Sequence, residues 1–184
     1  TIALAICCKT PMSGLSKTRL SPPLRPEECA AISACFIRDL SATIAELGRE
    51  GGVIGYVLYT PRGSEASLLQ LLPKGIKLMP QVGGDFGERL LNGVIDLLAV
   101  GHSGVILINS DSPTLPKLIL RRAADAVLSG DTCVLGPAAD GGPQAGVTDQ
   151  AVSVGEWPTT RCARSGARWR QDDVPVRVHP QIVT

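Results

Sequence analysis

The sequence predicts an α/β protein with a mainly parallel central sheet and helices on both faces. Three observations carry that expectation. Short, unbroken apolar runs alternate with longer segments whose apolar residues keep helical spacing. The runs are apolar on both faces, as a strand sandwiched between two helical layers must be. The segments that leave those strands are rich in Gly, Pro, hydroxyl and charged residues, which suits the loops beyond the carboxyl ends of a parallel sheet, where ligands bind. With 184 residues and 44% hydrophobic composition, the chain fits one domain with a substantial core.

Taken in order, residues 2–8 (IALAICC) read as a buried strand. Residues 9–26 hold four prolines and no acid, and they carry Lys9, Lys17, Arg19 and Arg25, so they form a basic loop. Pro26, Glu27 and Glu28 supply helix-start chemistry, with a proline in the first turn and acids at the positive end of the dipole. Ile37, Leu40, Ile44 and Leu47 continue that helix, and Gly48 is its expected stop. Val53 to Tyr59 is a second strand, followed by a short helix near 64–72 and a short strand near 76–79. Asp85 is placed to cap a helix with the apolar stripe Phe86, Leu90, Val94 and Leu97. Residues 104–109 (GVILIN) form another buried strand, Pro116 begins a helix through about Leu128, and residues 132–135 (TCVL) add a strand. From 143 the pattern weakens, with Val174 to Val178 as a last strand.

Composition excludes several functions. Aromatic residues are 3% and net charge is +1, so neither stacking platforms nor a global field favours nucleic acid. No apolar run reaches the ~18 residues of a membrane span. Thr1 to Cys8 lack the basic flank and cleavage site of a signal peptide, and a start at Thr1 suggests a trimmed N-terminus. These features lead us to expect a cytoplasmic protein. The six cysteines (Cys7, Cys8, Cys29, Cys35, Cys133, Cys162) contain no CxxC pair, and His102 and His179 are the only histidines. A zinc site or disulfide framework is therefore not expected, and most of the thiols should be small buried apolar groups.

Four segments have the composition of a site. Lys9 to Leu20 (KTPMSGLSKTRL) follows the first strand with Gly14 and several cations, which suits a polyphosphate or, equally simply, a solvated basic loop. Ser16 precedes Lys17 where a P-loop needs glycine, and no GxGxxG follows the strand, so P-loop and dinucleotide readings lose their support. In Ile108 to Pro116 (INSDSPTLP), Asp111 follows an apolar strand, as a ligand for Mg²⁺ or Mn²⁺ or as a turn cap. In Leu135 to Gly142 (LGPAADGG), Asp140 is a second carboxylate or part of an ordinary Asp-Gly turn. Gln81 to Leu90 (QVGGDFGERL) is a Gly-rich helix start that either lines a base or ribose or serves only as loop and cap.

In this order, KTPMSGLSKTRL, GGDFGERL, INSDSPTLP and VLGPAADGG resemble a bacterial family of glycosyltransferase-A-like proteins of formerly unknown function. That family is similar to the 2-phospho-lactate guanylyltransferases. The resemblance implies a three-layer α/β/α, Rossmann-like nucleotide-diphospho-sugar transferase (GT-A) fold. It also implies a metal-dependent nucleotidyl- or glycosyltransferase that uses a nucleoside triphosphate or nucleotide-sugar donor, a small-molecule acceptor, and Mg²⁺ or Mn²⁺. The nucleotide set would be Lys9, Gly14, Lys17, Arg19, Gly84 and Ser110, with Asp111 and Asp140 on the metal. Lys17, Asp111 and Asp140 would be the catalytic groups, and Gly141 and Gly142 would face the acceptor. Where relatives continue after the DGG segment with an aromatic and aliphatic strand, Pro143 to Thr148 stands here. The expected organisation is one domain over 1–184, with a nucleotide and metal part at 1–142 and a divergent or truncated acceptor part at 143–184. A non-catalytic nucleotide-binding protein of the same fold is the alternative. Oligomeric state is left open, a homodimer included.

Overall fold

The computed structural model describes residues 1–129 and three further strands, Cys133–Gly136, Ala151–Val154 and Val176–Arg177. The elements run β1 (Ile2–Lys9), a 3₁₀ turn (Thr18–Leu20), α1 (Pro26–Glu50), β2 (Val53–Thr60), α2 (Glu65–Leu69), β3 (Lys77–Pro80) and α3 (Phe86–Ala99). They continue as β4 (Gly104–Asn109), α4 (Lys117–Leu128), β5 (Cys133–Gly136), β6 (Ala151–Val154) and β7 (Val176–Arg177). The strands form one sheet in the order β3-β2-β1-β4-β6-β5-β7. β3, β2, β1 and β4 are mutually parallel, whereas β6 runs antiparallel to both β4 and β5. Mainly parallel strands with helical crossovers are what the alternating pattern predicts.

The period-2 alternation of β1 divides the core. Ile2, Leu4, Ile6 and Cys8 face α1 and α4, meeting Ile37, Leu40, Ile44, Leu47, Leu120 and Val127. Ala3, Ala5 and Cys7 face α3, meeting Val94 and Leu97. The sheet is thus covered on both sides, giving three layers. The small β1 residues let α3 lie close, and Gly93 completes that contact: a Cβ there would come within 2.7 Å of Leu58 Cδ1. The first four strands expose loops at their carboxyl ends, and one of these, the β1 loop, runs from Thr10 to Arg25.

Several expectations need correction. α1 passes through Gly48 and ends at Glu50, because Gly51 and Gly52, at φ 97° and 78°, supply the left-handed turn instead. Pro116 caps α4 and does not begin it. Phe86 is not part of the buried α3 stripe. It is 51% exposed at the first residue of α3, where the Arg89 guanidinium lies 6.0 Å from its ring. The strand at Ala151–Val154 was not expected in a stretch with no firm period. β5 and β7 fall within a residue or two of their predicted positions, at Cys133–Gly136 and Val176–Arg177. Cys7, Cys8 and Cys29 are buried thiols as expected, whereas Cys35 is exposed on α1. Among the described residues, no helix is long and apolar enough to cross a membrane.

Candidate functional site

The β1 loop turns on a short set of backbone bonds. Thr10 is buried and extends the β1–β2 ladder, its N–H donating to Thr60 O at 2.8 Å and its hydroxyl lying 2.6 Å from that of Ser64. Leu15 and Ser16 N–H groups both donate to Met12 O at 3.1 Å, and the Ser16 hydroxyl accepts from Met12 N–H at 2.9 Å. Gly14, at φ 75°, makes the corner of this turn. Lys17 follows at φ 46°, ψ 41°, left-handed geometry that is unfavourable for a lysine and costs about 1 kcal/mol or more.

The Lys17 side chain explains why that conformation is held. Its ammonium sits 4.2 Å from the centroid of the Phe36 ring on α1 and 2.6 Å from Asp111 Oδ1. The Lys17 side chain is 13% exposed and that of Asp111 71%, so the cation is seated and the carboxylate faces solvent. Asp111 is presented by its own loop. β4 ends at Asn109, whose side-chain Oδ1 accepts from Asp111 N–H at 2.9 Å. This is an Asx turn, which aims the next side chain away from the strand. Leu115 N–H then closes on Ser112 O at 3.2 Å before α4. One ion pair therefore links two loops 94 residues apart, at the carboxyl edge of adjacent parallel strands.

Along the β1 loop lie two hollows, neither of them lined by Lys17 or Asp111. One, of about 270 Å³, is lined by Lys9, Thr10, Met12, Leu15, Thr60 and Pro61 at the ends of β1 and β2. The other, of about 220 Å³, is lined by Gly14, Ser16, Thr18, Ser21, Pro26 and Cys29 on the α1 side of the loop. Each is smaller than the roughly 300 Å³ at which small-molecule pockets begin. At the carboxyl ends of β1 and β2, Gln81 ties the strands together. Its side-chain Nε2 donates to Leu58 O at 2.8 Å and to Cys8 O at 3.2 Å. Nearby, the buried Tyr59 hydroxyl donates to Glu65, and burial first, then that carboxylate, raises the phenol to about 12. Burial likewise raises the Cys7 and Cys8 thiols to about 12, so neither is a thiolate nucleophile near neutral pH.

Of the residues expected at a site, Lys17 and Asp111 are brought into contact. Lys9 and Gly14 border the two hollows, while Arg19 and Ser110 lie in the same two loops. Gly84 is not part of this contact set. Its N–H donates to Glu88 Oε2 at 2.7 Å while Glu88 N–H donates to Asp85 Oδ1 at 2.8 Å, so the Gly-rich segment is occupied by the N-terminal cap of α3. Asp140, Gly141 and Gly142 lie outside the described residues. Sequence reasoning missed Phe36, and it named Gln81 and Asn109 only as members of their segments, with no role of their own. Asn-Ser-Asp is a local Asx-turn signal for Asn109, whereas Phe36 and Gln81 act through tertiary contacts that leave no local mark.

Sheet order, three layers and long loops at the carboxyl edge place the protein in the nucleotide-diphospho-sugar transferase fold class. Residues 43–143 match the family described as an uncharacterized protein conserved in bacteria (DUF2064), and the chain belongs to that family. It is similar to a crystal structure from Desulfovibrio desulfuricans G20, named as a candidate nucleotide-diphospho-sugar transferase, with TM-score 0.70 and 24% identity over 84% of this chain. At that identity the likeness shows the fold alone, and the chain spans 63% of the length of that protein. It is also similar to a crystal structure of 4-diphosphocytidyl-2C-methyl-D-erythritol synthase, at TM-score 0.49 and 17% identity, covering 82% of this chain and 73% of that one, too low to carry weight. No curated protein matches the sequence at a significant level.

Proposed function

We propose that the protein is a metal-dependent nucleotidyl- or glycosyltransferase whose donor is a nucleoside triphosphate or a nucleotide sugar. The observation that carries this reading is the contact between Lys17 Nζ and Asp111 Oδ1, which joins the β1 and β4 loops at the ligand edge of the sheet. Lys17, with Lys9 and Arg19, would hold the donor phosphates, and the backbone at Gly14 would admit them closely. The acceptor would approach from residues 143–184 and from Asp140, Gly141 and Gly142.

Among the described residues no three His, Cys, Asp or Glu side chains cluster. An exposed carboxylate at Asp111, with Ser110 next to it in the chain, offers only oxygen donors, suited to Mg²⁺ or Mn²⁺ held by one or two carboxylates together with phosphate oxygens. Bound there, such an ion would offset charge on the phosphates as the donor bond breaks. The protein's own contribution is positioning and charge neutralisation by Lys17 and Arg19, with no covalent intermediate.

The test is a thermal-shift panel of nucleoside triphosphates and nucleotide sugars, each with and without Mg²⁺ or Mn²⁺. Wild type should show a metal-dependent shift with a preferred nucleotide, and Asp111→Asn should lose it along with turnover. A full shift and undiminished turnover in Asp111→Asn would overturn the assignment. Binding without product for any acceptor would support the non-catalytic alternative.

A further inference from the structure

We infer that Lys17 is a built-in competitor for the divalent cation at Asp111, so that metal and polyphosphate bind as a coupled pair and metal alone binds weakly. The inference rests on the proposed reading of Asp111 as the metal carboxylate and Lys17 as a phosphate cation. The ammonium lies 2.6 Å from Asp111 Oδ1, against an oxygen that a hard cation would also use. Lys17 is not an ordinary exposed surface lysine. Its side chain is 13% exposed, its ammonium is seated 4.2 Å from the Phe36 ring centroid, and its backbone stays at φ 46°. The 71% exposed Asp111 side chain is the accessible member of the pair, yet it is already neutralised. A cation arriving alone therefore meets a satisfied carboxylate and a fixed like charge.

A polyphosphate changes both conditions. Its oxygens give Lys17 an anionic partner in place of Asp111, and its charge offsets the repulsion between ammonium and metal. Each ligand takes one half of the ion pair and leaves the other half available. Coupling of this kind is reciprocal, and about 5- to 150-fold is the usual range.

The experiment titrates Mn²⁺ alone into the protein and reads bound ion from the loss of the free-ion electron paramagnetic resonance signal. Wild type is expected to bind weakly, and Lys17→Met about ten-fold or more tightly. Lys17→Gly is the second variant, because glycine accepts the positive φ at this position and lacks the ammonium. Lys74→Met, which removes an exposed lysine away from the pair, should leave Mn²⁺ affinity at the wild-type value. Adding Asp111→Asn to Lys17→Met should return binding to the weak level. Unchanged Mn²⁺ affinity in both Lys17 variants, in a protein whose melting temperature still rises with Mn²⁺ plus inorganic triphosphate, overturns the competition and leaves the transferase reading standing. If no Mn²⁺ binds to any variant and no shift occurs with inorganic triphosphate, both fail together.

Discussion

The two edges of one sheet handle their polar groups in opposite ways. At the amino edge, the Tyr56 hydroxyl and His102 Nε2 lie 2.8 Å apart, and His102 Nδ1 lies 3.3 Å from the Thr1 hydroxyl. The Tyr56 and His102 rings meet edge to face at 5.4 Å, and Ser103 N–H closes on Thr1 O at 2.9 Å. His102 is buried there, and its polar atoms are spent on neighbours. At the carboxyl edge, by contrast, Asp111 is exposed, Lys17 keeps an unfavourable backbone, and two hollows open beside the loop. Closed polar networks stabilise, whereas open ones held in strained conformations are available for ligands. Both edges carry titratable side chains with partners, so the difference between them lies in how far those groups face solvent and not in composition.

The comparison breaks most severely if the strands between the edges are damaged. Ile106 is fully buried in the middle of β4, and Ile106→Ala should cost roughly 2–5 kcal/mol through lost burial and a cavity. Chemical denaturation should show the loss, and both edges should weaken together. Asp111→Asn should act at one edge only. It should abolish the metal-dependent nucleotide shift, worth about 2.7 kcal/mol at 100 times the dissociation constant. Unliganded stability should fall by about 1–3 kcal/mol, because the seated Lys17 ammonium, 13% exposed, keeps only a neutral acceptor. Tyr56→Phe should do the reverse, lowering stability by about 1–3 kcal/mol because His102 Nε2 loses a buried partner, while the nucleotide shift stays intact. If Tyr56→Phe abolished nucleotide response, the division between edges would be wrong.

How much of this was legible in the sequence differs between the edges too. The strands were legible because runs such as IALAICC and GVILI, up to the Asn109 at its end, have no polar residue to place on a solvated face, and the Asp85 cap because Asp and Glu88 sit at capping-box spacing. Lys17 and Asp111 were legible as separate loop residues with the right chemistry. Their contact was not, because nothing local ties positions 94 apart. The seat on Phe36 was hidden because a phenylalanine on α1 reads as ordinary core. Gly48 misled because a glycine late in a helix looks like a stop, whereas the Gly51-Gly52 pair was the feature with the needed backbone freedom. The strand at Ala151–Val154 was invisible because four residues, pairing antiparallel to β4 and β5, give too short a window for periodicity. His102 gave no sequence signal either, as a lone histidine is silent until its neighbours are known.

The smallest expected effect is a dependence of stability on pH that belongs to the amino edge alone. Burial of His102, with help from the nearby Lys77 charge, lowers its affinity for a proton below the ordinary histidine value of 6.5. The unfolded chain, where His102 titrates normally, therefore binds more protons than the native state as pH falls through 6.5 toward the depressed native value. By linkage, stability is full above 6.5 and declines across that interval. The carboxylates Glu28 and Glu65 are lowered below their ordinary 4.5, so their own contributions are lost only at more acidic pH. Denaturant midpoints measured from pH 7.5 down to 5.5 should fall in the wild type, and His102→Gln, which retains polar atoms without the titration, should flatten the slope. An equal slope in both proteins would mean that another group, such as His179 beyond the described residues, carries the acid response. The Asp111→Asn variant should keep the wild-type slope, because the charge pair at the opposite edge has no part in this equilibrium.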